Sequence, residues 1–183
     1  MLTIALKEWD LVIRKMLEGR QAVLLRKGGI LEAENQFVLE HREFLFFPTF
    51  VHQDPRMVKP EHRAGLVQVR AEPEVVRIGG FGRVEKIYEV PSRQALEALS
   101  DLYVWDMPLL DMRFTYRPEK PLYLVLVRAY KFGKAVEIKN TLEYAGCKSW
   151  VPLEVGVDVD AAEAVLGEAG FLKIQQHIEK AFS

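Results

Sequence analysis

The sequence predicts an α+β protein with a mixed or mainly antiparallel sheet, which can curl into a partial barrel, and with helices packed around that sheet. Its 183 residues are 49% hydrophobic and 28% charged, which is the composition of a globular protein. Helical and extended patterns interleave without the regular alternation of a doubly wound sheet. We expect a single domain, with a core over about residues 1–155 and a C-terminal helical segment over about 156–183.

The N-terminal part predicts one helix followed by strands. Residues 3–18 carry an apolar stripe at helical spacing, with Thr3 as the capping residue. Gln21–Arg26 is a short apolar run that a glycine pair ends, and it predicts a buried strand. Phe37–Phe50 is dense in aromatic residues and predicts one or two further strands.

The middle of the chain predicts helices and strands in alternation. Lys59–Val69 predicts a helix that has a proline in its first turn. Val75–Val90 predicts an extended segment that bends at its glycines. Pro91–Leu102 and residues 105–115 predict two short helices, and the apolar run Leu122–Tyr130 predicts a strand.

The C-terminal part predicts one strand and two helices. Ser149–Leu153 predicts the strand. Asp160–Leu166 predicts a helix because Glu163 follows Asp160 at the spacing of a capping box. Phe171–Phe182 predicts the last helix, since its large apolar residues recur on one face.

Charge and cysteine content narrow the class of protein. The chain carries 25 basic and 26 acidic residues, which excludes a strongly basic footprint over the whole protein. The stretch from Arg113 to Lys139 is nevertheless rich in basic residues. The single cysteine, Cys147, excludes an internal disulfide and a multi-cysteine zinc site in one chain. With no signal-like N-terminus and no apolar run of about 20 residues, we expect a cytoplasmic protein without a membrane span.

Sequence motifs exclude several activities and leave one catalytic alternative open. There is no phosphate-binding P-loop, dinucleotide fingerprint or paired-histidine zinc helix, and His41-x-Glu43 lacks the second half of the zinc-deaminase pattern. Glu137 and Lys139, with an upstream acid such as Asp106 or Asp111, resemble the catalytic set of a metal-dependent nuclease that would use Mg²⁺. Apart from that case, we expect no cofactor. A further alternative is that Cys147 acts as a nucleophile. Cysteine is usually buried, however, and a packing role for Cys147 is the competing interpretation.

Polar clusters at the ends of apolar segments predict a ligand-binding site. If the predicted strands lie side by side, these clusters could converge on one cleft, where cations would hold an anion and an aromatic ring would stack on a flat ligand. The alternative is that they are separate strand ends. The candidate ligand-binding residues are Arg26, Lys27, His41, Arg42, His52, Lys148 and Trp150.

Several of these stretches resemble a bacterial family known as domain of unknown function eighteen hundred and two. The resemblance rests on Leu6-Lys7-Glu8-Trp9, Leu25-Arg26-Lys27-Gly28-Gly29-Ile30, Glu40-His41-Arg42-Glu43-Phe44, Phe47-Pro48-Thr49, His52-Gln53, Arg113-Phe114, Pro121-Leu122 and Tyr144-x-Gly146-Cys147-Lys148-Ser149-Trp150-Val151. It implies no catalytic residues. It does imply an association with restriction-endonuclease-type domains, and hence a restriction-system protein as partner.

A second similarity is to the barrels of the pseudouridine-synthase-and-archaeosine-transglycosylase-like group. It rests on Gly19-Arg20-Gln21 leading into a strand that ends at Leu25-Arg26, on the strand Gly80-Phe81-Gly82-Arg83-Val84, and on the strand Pro121–Tyr130. This similarity implies binding of RNA or of a modified base.

Three functions follow from these patterns. The leading hypothesis is a non-catalytic module that binds DNA, RNA or a nucleotide. The first alternative is the metal-dependent nuclease. The second is a protein-interaction module that docks a partner on the apolar face of Phe171–Phe182.

The scarcity of asparagine beside abundant Glu and Arg also suggests a heat-adapted source.

Overall fold

A computed structural model gives the fold over residues 1–27, 30–33, 36–146 and 148–183. It confirms an α+β protein with a mostly antiparallel sheet that does not close into a barrel among these residues. Gly28 and Gly29, which we expected to end the second strand, and Cys147 lie outside the described residues.

In the described part of the chain, seven strands form the main sheet and two form a separate antiparallel pair. The nine strands are β1 (Leu2–Trp9), β2 (Val23–Arg26), β3 (Ile30–Ala33), β4 (Gln36–Leu39), β5 (Glu43–Thr49), β6 (Val75–Glu89), β7 (Tyr123–Lys139), β8 (Trp150–Val157) and β9 (Glu163–Ala164). The main sheet has the order β2-β7-β6-β5-β1-β8, with β9 added to β7, and β3 pairs with β4. Only the β1–β5 pair is parallel among these ladders.

Five α-helices flank the sheet in the described part of the chain. They are α1 (Asp10–Leu17), α2 (Pro60–Arg63), α3 (Arg93–Glu97), α4 (Met107–Thr115) and α5 (Glu168–Phe182). The Ser92 hydroxyl accepts a hydrogen bond from the Ala95 amide at the start of α3. The Asp106 carboxylate likewise accepts from the Met107 amide at the start of α4. Both side chains satisfy amides that the first helical turn leaves without a partner.

The long hairpin of β6 and β7 forms the spine of the sheet. Their pairing runs from Val75 opposite Lys139 to Glu89 opposite Tyr123, with register shifts near Gly80 and Val84. The prediction of a bent extended segment over residues 75–90 is therefore confirmed. The strand predicted over residues 122–130 continues to Lys139, because β6 supplies hydrogen-bonding partners along its whole length.

Both faces of the central strands are buried. Along β5, Phe44 and Phe46 belong to a large hydrophobic cluster, whereas Leu45 and Phe47 belong to a second cluster on the opposite face. Consecutive side chains of a strand point to opposite faces, so a strand covered on both sides needs a continuous apolar run. The large cluster also contains residues of α1, α3, α4 and α5.

The first predicted helix is wrong over its N-terminal half. Residues 2–9 form strand β1, and the helix begins only at Asp10. Ala5 and Leu6 are both buried, one in each hydrophobic cluster, as required of a strand between β5 and β8. Their apolar spacing also fits a helix, and the tertiary environment decides between the two patterns.

The prediction of two C-terminal helices is also wrong, because one helix is present. The segment predicted as a helix over Asp160–Leu166 contains β9. The Val165 amide donates to the Ala129 carbonyl of β7, so this segment finds its backbone partners in the sheet. The last helix is confirmed as α5. The helix predicted over residues 59–69 is reduced to the single turn of α2.

No helix in the described ranges combines the length and the apolar character needed to cross a membrane.

Candidate ligand-binding cleft

A cleft of about 530 Å³ opens where the two edges of the sheet approach each other. Arg26 ends β2 and Ser149 precedes β8, and these strands stand at opposite ends of the strand order. Even so, Nη1 of Arg26 lies 3.3 Å from the Ser149 hydroxyl, to which it donates a hydrogen bond. The sheet therefore curls until its edges face each other, and the cleft has a volume typical of small-molecule sites.

The cleft is lined by the ends of four elements and by two connecting segments. The elements are β1, β2, β5 and α4, and the segments lie around residues 51–72 and 140–149. Its lining residues are Lys7, Glu8, Trp9, Arg26, Phe47, Thr49, Val51, His52, Glu72, Arg113, Asn140, Tyr144, Ala145, Gly146, Lys148 and Ser149.

Two arginines in the cleft have buried N–H groups without a hydrogen-bond partner among the described residues. These groups are Nη2 of Arg26 and Nε of Arg113. Burial lowers the pKa of the Arg26 guanidinium, the Glu8 carboxylate raises it, and the positive charge of Arg113 lowers it. Arginine stays protonated at neutral pH in spite of such shifts. A buried donor without an acceptor is costly, so this pair favours an incoming oxygen ligand.

The two carboxylates among the described lining residues, those of Glu8 and Glu72, each accept hydrogen bonds from backbone amides. The Glu72 carboxylate accepts hydrogen bonds from the Phe50 amide at 2.9 and 3.1 Å and from the Val51 amide at 2.9 Å. The Glu8 carboxylate accepts from the Trp9 amide at 2.8 Å. Neither carboxylate forms a salt bridge with a cation whose side chain the structure describes.

Two lysines complete the charge of the cleft. Lys7 donates to the carbonyl oxygens of Tyr144 and Gly146 and so holds the segment before β8 against the end of β1. Lys148 is exposed at the rim. With Arg26 and Arg113 there are four cations against two carboxylates among the lining residues that the structure describes, an excess of two positive charges. The whole chain, by contrast, carries a net charge of −1.

Aromatic side chains supply the apolar part of the wall. Phe47 and Tyr144 are buried and contact each other edge to face, with ring centroids 5.9 Å apart. The Tyr144 hydroxyl accepts a hydrogen bond from the Glu154 amide, which fixes this ring. Trp9 is half-buried, lines the cleft and packs against the large hydrophobic cluster.

Three of the predicted ligand-binding residues line this cleft, namely Arg26, His52 and Lys148. Lys27 has a structural contact instead: its ammonium group donates to the carbonyl oxygens of Arg113 and Phe114 at 2.8 and 3.0 Å. It thereby ties the end of β2 to the last turn of α4.

The remaining three predicted binding residues lie outside the lining. His41 and Trp150 contact each other with ring centroids 5.0 Å apart, and Trp150 also packs on Phe44 of the large hydrophobic cluster. Arg42 is exposed and borders a separate shallow depression together with Glu43, Arg83, Val84 and Glu85. The predicted convergence therefore brings together some of the polar clusters and leaves others apart.

The residues of the nuclease alternative take part in separate surface contacts. Glu137 lies 3.8 Å from the Arg77 guanidinium, and Asp111 accepts a hydrogen bond from Arg93 at 2.6 Å. Lys139 is exposed at the end of β7. None of the three lines the cleft, and no group of three or more His, Cys, Asp or Glu suited to a metal ion occurs among the described residues. A catalytic role for them stays a prediction.

Sequence reasoning missed several cleft residues, chiefly Lys7, Glu8, Trp9 and Arg113. Each belongs to a stretch that carries the family resemblance, and Arg113 also begins the basic stretch of the sequence. These two signals could have identified them as candidates. The helix that the sequence predicts over residues 3–18 instead separates Lys7, Glu8 and Trp9 from the other strand ends.

Comparison with solved structures finds similarity at low sequence identity. The crystal structure of ASCH from Zymomonas mobilis has a TM-score of 0.47 and 10% identity, covering 98% of this chain and 95% of that one. Two mutant proteins of the same ASCH protein each have a TM-score of 0.44, at 10% and 11% identity, over 94% of this chain and 94% and 96% of theirs. Similarity to the pseudouridine-synthase-like barrels stays a prediction.

Comparison with curated proteins finds no match. A protein family, by contrast, matches almost the whole chain, over residues 5–177. This match confirms the resemblance that the cleft and strand-end motifs indicate in the sequence. The chain belongs to the family described as Domain of unknown function (DUF1802).

Proposed function

We propose that this protein binds nucleic acid or a nucleotide through the cleft, without cleaving it. The observation that carries the proposal is the local excess of two positive charges in a chain that is slightly acidic overall. Arg26, Arg113 and Lys148 form no salt bridge with any side chain that the structure describes. Their charge is therefore available to phosphate groups, which dominate the affinity of proteins for nucleic acids.

The half-buried Trp9 in the lining supports a ligand with a flat ring. Base stacking on an aromatic side chain contributes about 1–3 kcal/mol per base and tolerates different sequences. Trp9 lies at the end of β1, next to Lys7 and Glu8, so that a ring and charged groups border the same space. This combination fits an unpaired base with its phosphate better than it fits a duplex, whose bases are already stacked.

The two alternative functions receive less support. The apolar face of α5, which the interaction hypothesis would use, is largely covered by the protein itself, since Phe171 and Ile178 are buried in the large cluster. The nuclease hypothesis lacks a group of metal ligands in the described part of the chain. A link to a restriction system rests on the family resemblance alone.

The test is fluorescence anisotropy with short labelled single-stranded and double-stranded DNA and RNA over a salt series. We expect saturable binding to single strands, with log K falling against log salt at a slope of about −1.4 for two neutralised phosphates. Lys148→Ala should make the slope shallower, from about −1.4 to about −0.7, because one phosphate contact is lost. Arg26→Ala should weaken binding at every salt concentration.

Arg42→Ala is the matched control, since it removes an exposed arginine that lies outside the cleft. It should leave both the affinity and the salt slope unchanged. Equal losses in the Arg26 and Arg42 variants would show that binding is diffuse and would refute the cleft as the site. Intact probe strands after incubation with Mg²⁺ would support the non-catalytic proposal, whereas cleavage that Glu137→Ala abolishes would establish the nuclease.

A further inference from the structure

The most unusual feature of the cleft is its pair of buried guanidinium donors. Nη2 of Arg26 and Nε of Arg113 are both shielded from solvent, and neither has a hydrogen-bond partner among the described residues. Buried polar groups in folded proteins are nearly always hydrogen-bonded, and a charged donor left unsatisfied is more costly than a neutral one. Arg113 lies close enough to Arg26 for its positive charge to lower the pKa of the Arg26 guanidinium. Two unsatisfied donors in one cleft therefore indicate a place prepared for an anion.

The surrounding contacts hold this pair in position. Nη1 of Arg26 donates to the Ser149 hydroxyl, so the guanidinium is oriented through one of its other nitrogens. Lys27 donates to the backbone carbonyls of Arg113 and Phe114, which fixes the last turn of α4 beside the end of β2. Donors fixed in advance lose little conformational entropy when they bind a ligand.

The charge of the cleft indicates which anion fits. The described lining residues carry an excess of two positive charges, and both of their carboxylates already accept hydrogen bonds from backbone amides. A phosphate monoester carries a charge of about −1.5 to −2 at neutral pH and presents three acceptor oxygens. A phosphodiester carries only one negative charge and would leave the cleft positive. Arginine suits phosphate because the N–H groups of its planar guanidinium match the geometry of the phosphate oxygens.

We propose that Arg26 and Arg113 form a subsite for a phosphate monoester, so that the cleft takes a terminal phosphate of a nucleotide or of a nucleic-acid strand. This inference rests on the proposed function and narrows it from nucleic acid in general to ligands with a phosphorylated end. Lys148 supplies further charge at the rim, and Trp9 borders the space that the adjoining base would occupy.

The experiment compares single-stranded oligonucleotides of one sequence with a 5′-phosphate, a 3′-phosphate or hydroxyl groups at both ends. We expect one phosphorylated form to bind at least about tenfold more tightly than the hydroxyl form, since two charge-assisted hydrogen bonds are gained. Arg26→Lys and Arg113→Lys keep the charge but remove the fork, and each should reduce this preference to less than about threefold. Arg42→Lys is the matched control and should preserve the preference.

A second measurement reads the subsite directly. In an NMR titration with inorganic phosphate, the Nε–H resonance of Arg113 should shift saturably in the wild-type protein and in Arg42→Lys. Malonate, an organic dianion, should shift it at least about tenfold less effectively, because its two carboxylates do not present three oxygens at one centre. Unchanged thermal unfolding midpoints would establish that the lysine variants are folded.

The outcomes separate this inference from the proposed function. Equal binding of phosphorylated and hydroxyl ends, with Arg26→Ala still weakening both, would overturn the subsite and leave nucleic-acid binding in place. Saturable binding of inorganic phosphate at Arg113 without binding of any oligonucleotide would support the subsite, overturn nucleic-acid binding and leave a nucleotide as the ligand. Malonate binding as tightly as phosphate, or the absence of any shift at Arg113, would refute the phosphate subsite.

Discussion

Replacing Gly82 by alanine tests the packing of β6 between its neighbours β5 and β7. Gly82 lies in β6, opposite Phe44 of β5 and Ala129 of β7. A Cβ at this position would lie 2.7 Å from Cγ1 of Val127 and 3.0 Å from Cε1 and Cζ of Phe46. Both neighbours are fully buried, so neither side chain can turn into solvent to make room.

The size of the effect follows from these distances. Carbon atoms in contact prefer a separation of about 3.5–4.0 Å, so the neighbours would have to move by about 0.5–1 Å. Protein interiors are packed as densely as organic crystals, and forcing an extra methyl group into them costs about 1–3 kcal/mol. For a protein of this length, each kcal/mol lowers the unfolding midpoint by about 2–4 °C. We therefore expect Gly82→Ala to unfold about 2–12 °C below the wild type.

Thermal and urea unfolding followed by circular dichroism provide the assay, and Gly133→Ala is the control. Gly133 lies in β7, and no atom is found within 4 Å of the position that its Cβ would take, so this variant should stay within about 0.5 kcal/mol of the wild type. Val127→Ala should relieve part of the clash, and the double variant should lose less than the sum of the single losses. If the losses of the two single variants in unfolding free energy were fully additive in the double variant, this account of the packing would be refuted. An unfolding midpoint of Gly82→Ala equal to that of the wild type would refute it as well.

Three further predictions concern packing and protonation. The Arg128 side chain is 14% exposed and forms ion pairs with Glu85 and Glu168. Arg128→Ala should lower the unfolding free energy by about 1–3 kcal/mol and make α5 more susceptible to limited proteolysis. Glu168→Gln should change the unfolding free energy by less than about 1 kcal/mol, because the Glu168 side chain is 80% exposed. The buried Tyr103 hydroxyl donates to a backbone carbonyl of α3 at 2.8 Å, so Tyr103→Phe should cost about 1–3 kcal/mol in urea unfolding, and no loss would contradict the contact. Burial lowers the pKa of His62, against the opposing charge of a neighbouring carboxylate, so its contribution to stability is complete above about pH 6.5 and is lost as the pH falls toward the folded pKa. An NMR titration of His62 should have its midpoint below about 6.5, and a higher midpoint would contradict the prediction.

The strands and helices that the sequence predicts correctly are those whose pattern has one structural meaning. The glycines of β6 and the apolar run at the start of β7 predict extended structure, and the structure confirms both. Residues 3–18 are ambiguous, because their apolar positions suit either a helix or a strand buried on both faces. Only the neighbouring strands β5 and β8 decide in favour of a strand at Leu2–Trp9. The same holds for β9, whose partner in β7 lies more than thirty residues earlier in the chain.

The candidate site depends on the curl of the sheet, which the sequence does not encode locally. Arg26 and Ser149 are separated by 123 positions and belong to opposite edges, yet their side chains are hydrogen-bonded. Sequence reasoning identified Arg26, His52 and Lys148 because each ends or follows an apolar segment. It could not exclude Arg42, which follows the same pattern but borders the separate depression.

The adjacent residues Arg26 and Lys27 show why a count of basic residues does not identify a binding site. Lys27 and Arg26 are adjacent, yet the Lys27 ammonium donates to two backbone carbonyls, whereas a buried N–H of Arg26 has no acceptor in the described part of the chain. A cation whose donors are already used stabilises the fold, and a ligand that displaced those contacts would lose their free energy. A cation with a vacant donor gains a hydrogen bond when an anion binds. We therefore expect Lys27→Ala mainly to lower the unfolding midpoint, with ligand affinity changing only through the position of Arg113. Arg26→Ala should mainly lower ligand affinity, with a smaller change in the unfolding midpoint. A Lys27→Ala protein with wild-type stability and abolished binding would contradict this division of roles.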